Sequence, residues 1–458
     1  MSKNYAKNKN KDKNRERELV YKNGKIVGKT NDSDNPNIQS VKKKLQEWEQ
    51  DEIAKRIYHL VKNKVNFISG TVAPAPSSKN EDYLNIEDLK IGLTILTQSY
   101  GNNLTLSVQP KYMGSRCNVY LFNGEPTKSY SVSRNGYVIS NDRVDMMPIY
   151  EKLQTRLKSW MDTNLVEMVI LDGELLPWSA LGKGLIENDF VPVRAGLESE
   201  IECSEKYNFD ANYNQMIKNL NQLIPEKEFA IMEKKIAMEK IPTQYPTYHA
   251  YFQSRKLHQD TQTLRALYST YSTQMDLYGG DKELDYKPFG ILKIIYKDGT
   301  ESIPLLDQSM GQSQMYDLVS SGLETDSQLV INITQENFLD SYNQINQWFD
   351  RKTAQDGFEG IILKPDLVQK DKIPLMKVRN QDYLTIIYGY DYKLEPNYKN
   401  LVNKKTTRYK IAQSIKEFKL GLNLLTMKYN NLDSDEYKSR LENFISCELN
   451  GNNLDPRL

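Results

Sequence analysis

Histidine and cysteine are scarce. The 458-residue chain has three of each: His59, His249 and His258, and Cys117, Cys203 and Cys447. None of them stands at metal-ligand spacing, which argues against a zinc site and against a nucleophile activated by histidine. Three scattered cysteines form no disulfide framework and fit a reducing compartment. Long apolar runs are missing as well. No stretch is long enough to span a bilayer and none reads as a signal-peptide core, so the expectation is a cytoplasmic protein with no membrane partner. An excess of one charge is also absent. The 61 basic and 60 acidic residues leave a net charge of +1, so no global field attracts a polyanion. There is no internal repeat.

The length and a hydrophobic fraction of 39% allow two to four structural units, each with a core. Residues 1–35 are rich in Lys, Asn, Arg and Asp, and read as a disordered basic tail that cannot bury enough apolar surface to fold. Residues 36–100 read as an N-terminal helical and linker region. Val41, Leu45, Trp48, Ile53, Ile57, Leu60 and Val61 fall on one helical stripe. A Pro/Ser loop from Ala73 to Ser78 ends that helix. Residues 101–185 carry strand patterns at 104–108 and 166–172 and a helix pattern over 148–161. Residues 186–285 turn poor in valine and rich in Glu, Lys, Gln and Met. Met216, Leu220 and Leu223 recur at helical spacing. A segment of this length between strand groups reads as a helical insertion rather than a loop. Strand patterns return within 286–392, at 289–296 and 329–333, with a helix pattern over 335–352. Residues 393–458 read as a C-terminal helical module.

Lys111 follows a strand, with Gly114 and Arg116 after it. An amine can act as a nucleophile or point charge, a glycine permits close backbone approach, and arginine offers a planar donor fork. Arg134 lies in a turn, Ser133-Arg134-Asn135-Gly136-Tyr137. A buried strand ends in the acid pair Asp172-Gly173-Glu174. Later come Phe289, then Glu359 and Lys364, then Lys377 and Arg379. Six basic residues, two glutamates and an aromatic, mostly at strand ends, are what a polyphosphate with a divalent metal needs. Cations neutralise phosphate, carboxylates hold magnesium and sugar hydroxyls, and an aromatic face stacks a base.

The order and wording of these segments resemble the covalent nucleotidyltransferase superfamily of ATP-dependent polynucleotide ligases and capping enzymes. Lys111-Tyr112-Met113-Gly114-Ser115-Arg116 matches K-x-x-G-x-R, and Asp172-Gly173-Glu174 matches D-G-E. Glu359-Gly360-Ile361-Ile362-Leu363-Lys364 matches E-G-x-x-x-K, and Lys377-Val378-Arg379 matches K-x-[KR]. The closer resemblance is to the ligase domain of bacterial polynucleotide kinase–phosphatase–ligase RNA-repair enzymes. It extends over about residues 65–458 and includes Met113 where DNA ligases carry aspartate, the run from Leu171 to Gly182, and the terminal Leu454-Asp455-Pro456-Arg457-Leu458. No P-loop or metallophosphatase pattern precedes it, so the chain reads as the ligase part alone.

The resemblance implies an α+β fold. It has a nucleotidyltransferase (ATP-grasp-like ligase) core of antiparallel sheets, a helical insertion, and a helical C-terminal module in place of an OB domain. It also implies an ATP-dependent RNA ligase using Mg2+ or Mn2+. Lys111 would be the nucleophile that forms lysyl-AMP, with Arg116, Lys364, Lys377, Arg379 and a metal disfavouring its ammonium form. Gln109, Arg116, Arg134, Glu174, Phe289, Lys364, Lys377 and Arg379 would bind ATP, Gln109 reading the adenine edge and Phe289 stacking on the base. Glu359 and Glu174 would hold metal. RNA, including broken tRNA, would be the partner, with a separate kinase–phosphatase subunit and a 2′-O-methyltransferase beside it. A DNA ligase or capping-type enzyme shares the core motifs but normally carries an OB module after the last of them. A non-catalytic nucleic-acid-binding relative would be expected to have lost Lys111 or its supporting bases.

Overall fold

A computed structural model describes residues 20–22, 25–27, 36–78, 85–101, 103–140, 142–182, 184, 186–223, 250, 254, 258–278, 283–320, 327–395, 397–403 and 406–451. Most of the basic tail and the terminal 454–458 motif lie outside the described residues. Within the tail, β1 (Val20–Lys22) and β2 (Lys25–Val27) pair as a hairpin. The protein is α+β, built on two five-stranded sheets.

Helix α1 (Pro36–Lys62) precedes β3 (Ala73–Pro74), and α2 (Leu89–Tyr100) precedes β4 (Asn103–Lys111) and β5 (Ser115–Phe122). Next come β6 (Tyr130–Ser133), α3 (Met147–Thr163) and β7 (Val166–Leu176). Helices α4 (Val191–Lys206), α5 (Phe209–Leu223) and α6 (Thr261–Tyr278) follow. The chain then forms β8 (Asp285–Tyr296), β9 (Glu301–Ser302), α7 (Gln312–Ser320), β10 (Leu329–Thr334), α8 (Phe338–Ala354), β11 (Gly360–Pro365) and β12 (Met376–Arg379). The described residues after Arg379 form α9 (Leu384–Tyr388), α10 (Asn397–Asn403), a long α11 (Thr406–Leu425) and α12 (Asp435–Gly451), and contain no strand.

The first sheet has the order β10-β4-β11-β12-β3, and the second β6-β5-β7-β8-β9. All pairings are antiparallel except β12 with β3. Strand alternation then sorts the side chains. In the first sheet Ile361, Leu363, Met376, Val378, Leu106 and Val108 turn to one side and pack on α2 and α8. Asp88 caps α2 by accepting from Ile91 N at 2.9 Å, and Leu89, Leu93 and Leu96 fill its buried face. The residues between them on the sheet, Gln109, Lys111, Ile362, Lys364, Lys377 and Arg379, share the opposite side. Register places Lys111 across from Gly360 and Gly360 across from Arg379, and Gln109 across from Ile362 and Ile362 across from Lys377.

The second sheet obeys the same rule. Cys117, Val119, Leu121, Val169 and Leu171 pack on α3 and α7. Arg116 and Asn118 face the other way, paired in register with Glu174 and Asp172. Further along that side Tyr120, Met168, Ile170 and Leu292 lie under Leu422, Leu424, Tyr437 and Phe444 of α11 and α12. The C-terminal helices therefore close one end of the cleft between the sheets.

Buried polar contacts fix that closure. Lys293 Nζ donates to Leu425 O at 2.8 Å and Met427 O at 2.7 Å, and pairs with Glu301 at 2.6 Å. Trp48, expected on the buried stripe of α1, is 61% exposed. Ile53, Ile57, Leu60 and Val61 of the stripe pack on the C-terminal helices; the side chains of Val41 and Leu45 lie outside the described residues. In α5, Ile217 and Leu220 are buried while Leu223 is exposed.

Candidate active site

The polar sides of the two sheets face one cleft. Its inner part is lined by Gln109, Lys111, Arg116, Glu174, Phe289, Lys364, and by Ser414, Phe418 and Leu422 of α11. An outer part shares Lys111, Arg116 and Glu174, and adds Arg134, Glu359, Lys377, Arg379 and Lys410. All ten expected site residues thus line one continuous cleft.

Lys111 ends β4, and its ammonium forms an ion pair with Glu359, which lies one residue ahead of β11. Arg116 opens β5. Its Nε donates to Asp172 Oδ1 at 2.7 Å, a second nitrogen reaches Asp172 Oδ2, and Asn118 Nδ2 donates to Asp172 Oδ1 at 2.9 Å. The glycine of the lysine segment approaches protein rather than ligand: a Cβ on Gly114 would sit against Leu175 O and the Glu174 side chain. Only a bare backbone lets this loop lie on β7 beside Glu174.

Arg134 sits in a turn closed by Gly136 at φ +84°. Its guanidinium donates to Thr71 Oγ1 at 3.0 Å, while its Nε is buried without a partner. Arg56 of α1 holds the turn from behind, donating to Asn135 O at 2.9 Å and pairing with Glu448 of α12 at 2.7 Å. The Phe289 ring lies under two cations, with Lys364 Nζ 4.3 Å and the Arg116 guanidinium 5.0 Å from its centroid. Gln109 is 2% exposed, and its Oε1 has no partner.

Three comparisons bear on what this cleft belongs to. A family model described as "PNKP adenylyltransferase domain, ligase domain" matches residues 55–433. The chain belongs to that ligase-domain family. Among solved structures, a chain of "Structure of Pnkp1/Rnl/Hen1 complex" is 29% identical with a TM-score of 0.71, the match covering 89% of this chain and all of that one. A chain of "Structure of the Pnkp1/Rnl/Hen1 RNA repair complex" is 28% identical with a TM-score of 0.72, covering 89% of this chain and 99% of that one. A search of curated proteins finds no match.

Burial decides the charge state of several groups in the ligase cleft. Desolvation pushes the Glu174 carboxyl up to about 7; Lys111 and Arg116 oppose the shift, while Glu359 and Asp172 reinforce it. Desolvation pulls Lys364 down to about 7; Asp172 opposes this and Arg116 adds to it. Lys377 falls well below the ordinary lysine value, first through burial, then through Arg379. Burial also works against the charge on Arg379, but Glu87 overcomes it and holds the guanidinium above its usual value.

Glu87 was not legible in the sequence. It lies just ahead of α2 and is 2% exposed. It accepts from Arg379 N at 2.9 Å and Arg379 Nε at 3.0 Å. An acid next to a helix start reads as a dipole or cap residue, so local pattern could not assign it to a strand 292 positions away. Lys410, Ser414 and Phe418 were equally hidden. Their i, i+4, i+8 spacing marks one face of α11, but only the closure of the C-terminal module aims that face into the cleft.

Proposed function

We propose that this protein is an ATP-dependent RNA ligase in which Lys111 carries the adenylyl group. The observation that carries this reading is the convergence of Lys111, Glu359, Lys364, Lys377 and Arg379 from one sheet with Arg116, Asp172 and Glu174 from the other. Lys111 Nζ, once deprotonated and released from Glu359, attacks the ATP α-phosphorus. A P–N bond forms, the bond to the β-phosphate oxygen breaks, and pyrophosphate leaves. The RNA 5′-phosphate then attacks the same phosphorus, breaking the P–N bond and leaving AMP joined to the RNA end. A 3′-hydroxyl finally attacks the activated phosphate and AMP departs.

Lys364 and Lys377 are buried bases with weakened hold on their protons. An incoming phosphate raises both, so they gain charge as the nucleotide binds. Phe289 stacks on the base after Lys364 moves from its ring to the α-phosphate. Gln109 supplies an acceptor to the base edge, and Arg134 completes the outer phosphate wall.

Glu174 and Glu359 suit a divalent cation. They share one cleft, where the Glu359 charge disfavours ionisation of Glu174 and Lys111 pairs with Glu359. Among the described residues no group of three or more His, Cys, Asp or Glu side chains could hold a metal. Phosphate oxygens and water would complete the shell, as Mg2+ prefers. Mg2+ or Mn2+ bound there would neutralise charge developing on the phosphates.

The similar solved structures are a Pnkp1/Rnl/Hen1 complex and a Pnkp1/Rnl/Hen1 RNA repair complex, which supports work on RNA beside partner subunits; in our reading those partners are a kinase–phosphatase and a 2′-O-methyltransferase, and broken tRNA is a substrate. The proposed chemistry joins ends that carry a 5′-phosphate and a 3′-hydroxyl.

The test is covalent labelling by α-labelled ATP with Mg2+ or Mn2+. The protein retains label through alkali and loses it in acid, as a phosphoramidate does, and Lys111→Ala retains none. Label persisting on Lys111→Ala would place the nucleophile elsewhere, and equal labelling by GTP would favour a capping-type enzyme.

A further inference from the structure

The inner cleft ends in two orphaned polar atoms. Gln109 Oε1 and Ser414 Oγ are both buried without a hydrogen-bond partner, in side chains 2% and 1% exposed. A buried acceptor left unpaired is destabilising, and a ligand N–H removes that cost. A serine hydroxyl rotates to donate or accept, so Ser414 fits either kind of base edge. A glutamine amide discriminates only if its oxygen and nitrogen cannot exchange places.

The structure shows what prevents that exchange. Gln328 lies just before β10. Its Nε2 donates to Ser313 O at 3.0 Å and to Asp317 Oδ1 at 2.6 Å. A backbone carbonyl and a carboxylate only accept, so the Gln328 nitrogen must face them. Its Oε1 is therefore turned to Ser107, whose hydroxyl donates to it at 2.7 Å. With its single proton used, Ser107 Oγ can only accept from its other neighbour, and Gln109 Nε2 donates to it at 2.8 Å. The Gln109 oxygen is left for the cleft. Every link has one allowed polarity, and the first is fixed by backbone.

We propose that Gln328, acting through Ser107, fixes the amide of Gln109 with its oxygen toward the nucleotide and so selects a purine carrying a 6-amino group over one carrying a 6-oxo group. Gln328 is a positioning residue, about which the motifs of the cleft say nothing. The inference rests on the adenylyltransferase reading and adds to it the device that sets base preference. An exocyclic amino group satisfies Gln109 Oε1. A 6-oxo group presents a second acceptor to it, and the relay blocks the amide flip that would relieve the clash.

The experiment compares enzyme–nucleotide formation from ATP and from inosine triphosphate, which differ at this edge, using the full chain. The wild-type ratio of labelling efficiencies favours ATP by at least about a hundredfold. Gln328→Leu removes the acceptor that commits the Ser107 proton. The ratio then falls about tenfold or more, through a gain with inosine triphosphate rather than a loss with ATP. Ser107→Ala, a smaller change in the core, shifts the ratio the same way. In a Gln109→Glu background both ends of the side chain accept, so Gln328→Leu no longer moves the ratio.

A uniform loss with both nucleotides in Gln328→Leu and Ser107→Ala, at unchanged ratio, would show a merely structural role and overturn the relay. Wild-type protein that takes label from neither nucleotide would overturn the adenylyltransferase reading and the relay with it. ATP labelling with an unaltered ratio in the variants defeats the relay alone.

Discussion

Two kinds of cation line the cleft, and they differ in what holds them. Each sheet brings one arginine with its own carboxylate: Arg379 with Glu87 on the first, Arg116 with Asp172 on the second. The first sheet also brings Lys364 and Lys377, at 5% and 8% exposure, and no described carboxylate pairs with either. The paired arginines keep their charge against desolvation, whereas the lysines are pushed toward neutrality. The difference separates structure from readiness. An arginine clamped by a carboxylate fixes strands and potential whether or not a ligand is present. A lysine buried without a counter-ion is a cost that an incoming phosphate removes.

The largest break in this comparison comes from Glu87. Glu87→Gln leaves the Arg379 charge buried with a neutral partner, and stability falls by about 3–5 kcal/mol, the range for removing one member of a buried pair. Denaturant unfolding measures it. A loss below about 1 kcal/mol would mean that water reaches Arg379 and the pair is not a clamp.

The unpaired lysine gives the opposite sign. Lys364→Met abolishes most nucleotide labelling yet stabilises the unliganded protein by a few kcal/mol at pH 7. The folded-state pKa lies below the unfolded one, so the unfolded chain binds more protons across the window from about 7 to about 10.4. Native stability therefore rises with pH there, and the benefit of the methionine shrinks to nothing above about 10.4. Unfolding curves at pH 7 and pH 10 read the difference. A destabilised variant at pH 7 would show that Lys364 already has a counter-charge.

Glu174 sharpens the same contrast from the acid side. Its folded pKa is raised to about 7, so the folded state binds more protons between the unfolded value, about 4.3, and 7. Glu174→Gln accordingly stabilises by about 3–4 kcal/mol at pH 8, and by nothing at pH 4. Labelling with Mg2+ should be lost in the variant and should decline in wild type as pH falls below 7, because a protonated carboxyl does not hold a cation. Equal stability of both proteins at pH 8 would contradict the shift.

The smallest effect concerns the ring between the cations. Phe289→Ala should weaken ATP binding by about 1–3 kcal/mol, the scale of a lost base stack. Unchanged affinity by calorimetry would leave Phe289 as a platform for Lys364 and Arg116 only.

The regular elements were legible to within a few residues because they obey local rules. The pattern over 148–161 became Met147–Thr163, that over 335–352 became Phe338–Ala354, and that over 329–333 became Leu329–Thr334. Each has an apolar face that recurs at its own period, and burial on one side requires that recurrence. The short parallel strand Ala73–Pro74 and the buried Glu87 were not legible. A two-residue strand has no period, and one acid before a helix has several ordinary explanations.

By itself the sequence named residues that the fold brings to one cleft. Lys111, Arg116, Glu174, Glu359, Lys364, Lys377 and Arg379 stand in short segments at or beside strand ends, and alternation alone puts Asp172 with Glu174, and Lys377 with Arg379, on one side of their strands. The tertiary structure decided everything that depends on distance through space. It set which carboxylate holds which arginine and which lysines are left without one. It also turned Ser414 of the C-terminal helix and the Gln328 relay toward the cleft. The Glu87–Arg379 pair joins residues 292 positions apart, and desolvation depends on what surrounds a side chain on all sides. Neither is written in the residues next to it along the chain.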